Sequence, residues 1–328
     1  MKDNLIVVTG GAGFIGSNLV EELARRRQLV VVIDDFDDSA KWVNVRHANI
    51  HDLVSWSKAF EWLDAHSQAV SGVFHLGAIS ATTANDINLL LAKNVHFSNA
   101  MWEWCANEEK PLVYASSAAT YGDGELGFSD TMGLDDLEKL APLNPYAWSK
   151  HLVDLRTLRA ANTDARRPPA WYGVKFFNVY GPREHHKGDM RSVALKLYET
   201  VEAGKPIELF RSHRPDFEDG KQLRDFVHVG DCVDVLLWLM AERPENGLYN
   251  IGTGRAEPFL EIANAVIQET RAQTEVRFID MPEALRERYQ YFTQADMGKL
   301  RAAGYSRRFR GVAEGVRDYV RSLSATGR

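Results

Sequence analysis

The strongest constraint on this chain is a glycine pattern, Thr9-Gly10-Gly11-Ala12-Gly13-Phe14-Ile15-Gly16, set between an apolar run and a helical one. Leu5 to Thr9 predicts a buried strand, and Ile15 to Arg27 predicts a helix. Of the glycines at 10, 13 and 16, one permits a tight turn, another lets the backbone approach a pyrophosphate, and the third lets helix and strand pack closely. Phosphates seated there meet the free N–H groups and positive dipole end of the helix. A glycine-rich turn alone is weak evidence. Opening the first helix of a βαβ unit, it predicts a dinucleotide site at Gly10, Gly13 and Gly16.

Further short apolar runs follow at Leu29 to Ile33, Gly72 to His75, Leu112 to Ala115 and Trp171 to Phe176, with helical stretches such as Ala84 to Glu108 between them. Such alternation predicts a Rossmann-type α/β fold with a doubly wound parallel sheet. Pro168-Pro169 reads as a local breaker, because an apolar strand resumes at once. After Gly181-Pro182-Arg183 the pattern loosens, with a polar, turn-rich stretch from Arg211 to Arg224. Strand and helix signals return at Leu248 to Ile251 and Phe259 to Thr270. The expected division is a dinucleotide-binding domain over 1–180 and a smaller α/β lobe over 181–328, mainly for substrate. One or two elements of that lobe are expected to return to the first domain.

Composition narrows the partners. At 328 residues the chain exceeds one average domain, and a formal net charge of -6 argues against nucleic acid or an anionic membrane surface. Cys105 and Cys232 are too few and too far apart for a disulfide framework and have no metal-ligand spacing. The N-terminus does not read as a signal peptide, and no apolar run approaches the ~18 residues of a membrane span. A cytoplasmic protein without a metal is the expectation.

Asp34 stands eighteen residues past Gly16, at the end of the second strand. An acidic residue there binds a ribose 2′-hydroxyl, which favours NAD, and Asp35 adds to the negative field. Lys41 lies close enough to meet a 2′-phosphate instead. Tyr146 and Lys150, spaced i, i+4, share one helix face, with Asn144-Pro145 as a helix start. Tyrosine, with a pKa near 10, becomes a usable acid/base when nearby cations favour the phenolate. Ser117, 29 residues before Tyr146 in a loop after the Leu112 strand, can hydrogen-bond a reacting oxygen. Taken singly, each has a plainer reading: a solvated strand end for the aspartates, an amphipathic helix for Tyr146 and Lys150, a helix cap for Ser117.

Together these motifs resemble the extended short-chain dehydrogenase/reductase family. Phe177-Asn178-Val179-Tyr180-Gly181-Pro182-Arg183 and Arg224-Asp225-Phe226-Val227-His228-Val229 are similar to its sugar-nucleotide branch. Glu184-His185-His186-Lys187-Gly188, Asn250-Ile251-Gly252-Thr253-Gly254-Arg255 and the run Arg288 to Asp296 resemble its ADP-L-glycero-D-manno-heptose 6-epimerases. That resemblance implies bound NADP (NAD being the alternative), a nucleotide-linked sugar substrate, a role in lipopolysaccharide inner-core precursor synthesis, and a homo-oligomer, a pentamer by likeness. It implies a mechanism in which C6″ of the heptose is oxidised to a ketone and reduced again on its other face by the same hydride.

By position, the resemblance assigns Tyr146 and Lys187 as the two acid/base residues, with Ser117 and Lys150 in support. It assigns Phe14, Ile15, Asp34, Asp35, Lys41, Asn94 and Val179, with Leu76, Gly77, Ala78, Ile79 and Ser80, to the cofactor, which Lys150 and Lys187 also meet. Ser117, Asn178, Phe210, Arg224 and Tyr289 go to the substrate. So do Asp189 and Lys196, which replace the serine and histidine of better-known members; Asp35 replaces an asparagine. Three rivals stand beside this reading: a UDP-sugar 4-epimerase or 4,6-dehydratase of the same fold, a non-catalytic dinucleotide-binding redox sensor, and an interaction protein using the fold as a scaffold. Ala118-Ala119, where dehydratases carry an acidic pair, count against elimination chemistry.

Overall fold

The structure is a computed structural model that describes residues 4–36, 40–286 and 289–325; Arg288 of the C-terminal motif lies outside them. Its strands in chain order are β1 (Leu5–Thr9), β2 (Leu29–Asp34), β3 (Asp52–Ser55), β4 (Val70–His75), β5 (Leu112–Ser117), β6 (Trp171–Phe176) and β7 (Asn178–Tyr180). Then come β8 (Ile207–Phe210), β9 (Leu223–Arg224), β10 (Phe226–His228), β11 (Gly247–Ile251), β12 (Glu257–Pro258) and β13 (Val276–Ile279).

Seven of these form one sheet in the order β11-β6-β5-β4-β1-β2-β3, parallel throughout. Continuous apolar runs such as Val30 to Ile33 are buried along their whole length, as helix-covered parallel strands require. The strand order reverses between β1 and β4. In doubly wound sheets a ligand crevice opens at that point, beyond the carboxyl ends of the strands.

The structure differs from the sequence expectation in detail. The sheet gains β3, a four-residue edge strand (Asp-Leu-Val-Ser) in which only Val54 is buried, so no apolar run announces it. The long helical stretch begins at Ile87, capped by the Asp86 carboxylate, ends at Asn107, and contains a π-helical segment over Leu91–His96. Ser116 and Ser117 end β5 instead of following it.

Beyond residue 181 the chain serves two cores. β11 and the helix Val229–Glu242 pack into the core of the main sheet. A second core gathers Tyr180, the helices Val193–Glu202, Phe259–Thr270 and Val312–Ala325, and the parallel pair β8–β13. β7 pairs with β10, and both strands reach the cleft described next; β9 pairs with β12. Among the described residues no helix is long and apolar enough to cross a membrane.

Candidate active site

A cleft of about 780 Å³ opens at the carboxyl ends of β1, β4 and β5. Its floor is the glycine turn. Gly10 has φ +66°, and a Cβ there would lie 2.6 Å from Gly77 Cα; a Cβ on Gly16 would lie 2.1 Å from Gly10 O. Any side chain at either position forces apart the turn, the first helix and the loop after β4. The helix starts at Phe14 with Gly13 as its N-cap, so no capping side chain occupies its first N–H groups. Those free donors facing a cleft fit the pyrophosphate of a dinucleotide.

Leu76 to Ser80 form the wall after β4, and Ile15 and Val179 also line the cleft. Asn94 does not line it. It is fully buried, accepts from Ile79 N at 2.8 Å, and donates to Ile79 O and Ser149 Oγ at 3.0 Å each. It therefore holds the Leu76–Ser80 wall against the helix that carries Tyr146.

At the β2 end, Asp34 is buried and its oxygens are largely engaged. Oδ2 accepts from Ala12 N at 2.8 Å; Oδ1 accepts from Asp35 N at 2.7 Å and pairs with Lys41 Nζ at 2.9 Å. Asp35 is paired in turn with Lys93.

The opposite end of the cleft holds Ser117, Tyr146 and Lys150. The helix Pro145–Ala161 starts as expected: the Asn144 side chain accepts from Ala147 N at 2.9 Å, with proline at the first helical position. Tyr146 is half-buried and hydrogen-bonded to Ser117, which also caps the turn after β5 by accepting from Ala119 N at 3.1 Å. Ser117 thus caps the turn and also meets Tyr146 at the cleft. Burial raises the Tyr146 phenol above its ordinary value, and the Ser117 hydrogen bond works the other way. Burial also brings the Lys150 ammonium down to about 8, opposed by the Asp154 carboxylate. Lys150 Nζ donates to Ala115 O at 2.8 Å. Behind this group lies a fully buried ion pair, Lys175 with Asp154 at 2.5 Å, to which Ser116 Oγ donates at 2.7 Å.

Lys187 enters the same cleft from a separate element, the 3₁₀ turn His185–Met190. Its ammonium sits 4.7 Å from the centre of the Phe14 ring and 3.6 Å from the Glu184 carboxylate. Burial lowers its pKa; Glu184 raises it, and Lys196 lowers it further. Glu184 is wholly buried and held by Ser192, whose N and Oγ donate at 2.6 and 2.5 Å.

Asn178 lines the cleft. Phe210, Arg224 and Tyr289 form an adjoining group: Arg224 lies 5.1 Å from the Tyr289 ring and 5.7 Å from the Phe259 ring, and Tyr289 meets Phe210 edge-on at 6.4 Å. Phe259 belongs to both groups, since it also lines the cleft. Asp189 and Lys196 are not among the residues that line the cleft, although Lys196 is close enough to lower the Lys187 pKa. Both are exposed, and Lys196 Nζ donates to the Asp189 carbonyl at 2.6 Å. Sequence reasoning gave no site role to Glu184, Lys93, Trp56, His186 or Phe259, which are cleft-lining or in contact with a cleft residue. Two of them flank residues it singled out, His186 beside Lys187 and Lys93 beside Asn94.

Residues 6–252 match the NAD dependent epimerase/dehydratase family. This chain belongs to that family. The chain is therefore an enzyme of a family that uses a nicotinamide dinucleotide. The chain is 39% identical over 98% of its length to the ADP-L-glycero-D-manno-heptose-6-epimerase of Fusobacterium nucleatum, covering 98% of that protein. It is 43% identical to the protein of the same name from Nitratidesulfovibrio vulgaris, again over 98% of each. The solved Helicobacter pylori ADP-L-glycero-D-manno-heptose-6-epimerase matches with a TM-score of 0.81 at 25% identity, over 99% of this chain and 97% of that one. A Thermus thermophilus UDP-glucose 4-epimerase in complex with NAD matches with a TM-score of 0.75 at 25% identity, over 98% and 99%.

Proposed function

We infer that this chain inverts C6″ of ADP-D-glycero-D-manno-heptose, giving ADP-L-glycero-D-manno-heptose for the inner core of lipopolysaccharide. The observation that carries the reading is the presence in one cleft of two proton-handling groups from separate elements, Tyr146 with Ser117 and Lys150, and Lys187 on the turn against Phe14. An unactivated C–H carbon inverts only after oxidation to a ketone, and the two epimers present their hydroxyls in different directions. Two acid/base groups serve both.

We assign Tyr146 to one epimer and Lys187 to the other. Each takes the proton of the C6″ oxygen as the ketone forms and returns one as it is reduced. The bound dinucleotide supplies a hydride acceptor that is also the donor. Ser117 holds the same oxygen by a hydrogen bond, and the Lys150 charge favours the phenolate of Tyr146. Burial that lowers the pKa of Lys187 favours its neutral, basic form. Asn178, Arg224, Tyr289 and Phe210 are assigned to the nucleotide-sugar, whose diphosphate and base suit a guanidinium and aromatic faces.

NADP is the cofactor we favour over NAD. The Asp34 carboxylate already accepts from two backbone N–H groups and pairs with Lys41, which leaves it poorly placed to receive a ribose diol. Lys41 offers a cation for a 2′-phosphate. We extend the family likeness to a cytoplasmic homo-oligomer of five copies, which light scattering checks. The decisive experiment incubates the protein with ADP-D-glycero-D-manno-heptose in deuterated water. Epimerised product without deuterium at C6″ is expected; deuterium there, or no conversion, overturns the reading.

A further inference from the structure

The reaction above gives no role to Lys93, a basic residue that lines the cleft. Lys93 lies in the π-helical segment Leu91–His96, beside Asn94. Single π-helical turns are rare and concentrate at functional sites. Here two consecutive residues serve different walls: Asn94 is buried against Ile79 and Ser149, whereas Lys93 reaches the β2 end of the cleft. Its ammonium pairs with the Asp35 carboxylate and lies 5.2 Å from the centre of the Trp56 ring.

The charges there form a matched set. Asp34 pairs with Lys41 at 2.9 Å, and Asp35 pairs with Lys93. The two pairs differ in burial. The Asp34 side chain is 6% exposed and Lys41 16%, while Asp35 is 43% exposed and Lys93 26%. The Asp34 pair is thus the fixed one, with backbone N–H groups holding its carboxylate. The Asp35 carboxylate is open to water, which can replace its lysine at little cost, because exposed ion pairs are weak. A lysine is a flexible point charge with three donors, suited to changing partners.

We propose that Lys93 is a specificity residue for the cofactor, leaving Asp35 to donate to a ribose 2′-phosphate, with Lys41 as the second cation. The inference rests on the NADP assignment above. Asp35, without a cation beside it, would repel that phosphate; Lys93 both cancels the charge and supplies a donor. NAD, which has no such phosphate, gains nothing from Lys93.

The test is titration calorimetry of the full chain with NADP+ and with NAD+. Wild type is expected to prefer NADP+. Lys93→Met is expected to weaken NADP+ binding about tenfold or more, the scale of a charge-assisted hydrogen bond, and to leave NAD+ binding unchanged. Asp35→Asn is expected to tighten NADP+, and Asp35→Asn with Lys93→Met to bind it more weakly than Asp35→Asn alone. If the double variant matches Asp35→Asn, Lys93 only screens Asp35 and the proposal is overturned. A wild-type preference unaffected by Lys93→Met overturns the proposal and leaves the NADP assignment intact. A wild type that binds both cofactors equally overturns both.

Discussion

The two lysines assigned to the reaction sit in contrasting surroundings. Lys150 belongs to the seventeen-residue helix Pro145–Ala161, bonds to the β5 backbone, and is underlain by the buried Lys175–Asp154 pair. Lys187 belongs to a short 3₁₀ turn interrupted at Gly188, φ +54°, and touches its surroundings through one carboxylate and one aromatic face. Burial lowers the pKa of both. A scaffold of regular elements thus fixes Lys150, and a locally tethered turn presents Lys187. Loops placed on rigid elements carry function because they can differ while the frame does not.

The comparison breaks most sharply at Tyr146 and Lys187, the two residues we propose as acid/base groups. Tyr146→Phe and Lys187→Met should each reduce epimerisation about 10²-fold or more, with folding and cofactor binding retained. Steady-state rates beside circular dichroism and cofactor titration check this. A Lys187→Met enzyme that turns over ADP-heptose near the normal rate would reduce Lys187 to an ordinary loop residue and leave Tyr146 the sole base.

A smaller effect is expected at Glu184. Its carboxylate raises the pKa of Lys187, so Glu184→Gln should lower that pKa and move the acid limb of kcat/KM to lower pH. Turnover should fall by about tenfold through the loosened turn, the scale of a lost hydrogen bond to a charged group. An unmoved acid limb means that the limb belongs to a group other than Lys187. The matching change behind Lys150, Asp154→Asn, is expected to unsettle folding, because it strands the buried Lys175 charge. Thermal melts of the two variants compare the tethered turn with the scaffold directly.

The mildest expectation concerns pH and stability. The folded state holds Lys150 at about 8, against ~10.4 for an unfolded lysine. A depressed folded value means that the unfolded chain binds the extra proton between those limits. The contribution of Lys150 to stability is therefore present above ~10.4 and lost as pH falls through about 8. The stability of wild type relative to Lys150→Met should rise over that window, measured as melting temperature against pH. A flat difference would show that Lys150 titrates normally when folded.

The sequence by itself determined the parallel sheet, the glycine turn, and the Ser117, Tyr146 and Lys150 group. Burial on both faces writes itself as continuous apolar runs, a backbone forced close to backbone demands glycine, and an i, i+4 pair is set by the helical period. It did not show β3, whose four residues bury only Val54, and it expected one or two elements after residue 180 to return to the first domain without naming β11 as the strand that joins the main sheet. Only the tertiary structure decided which charges meet. Lys93 and Asp35 are 58 residues apart in sequence, and Arg224 joins Tyr289 across 65 residues of chain, as their numbers show. It also left Asp189 and Lys196 exposed and bonded to each other, with Lys196 near enough to Lys187 to lower its pKa. Periodicity reports how each residue is buried, which local sequence encodes. The partner of a charged side chain depends on which distant loops the packed sheet brings to the same edge, and no local pattern carries that information.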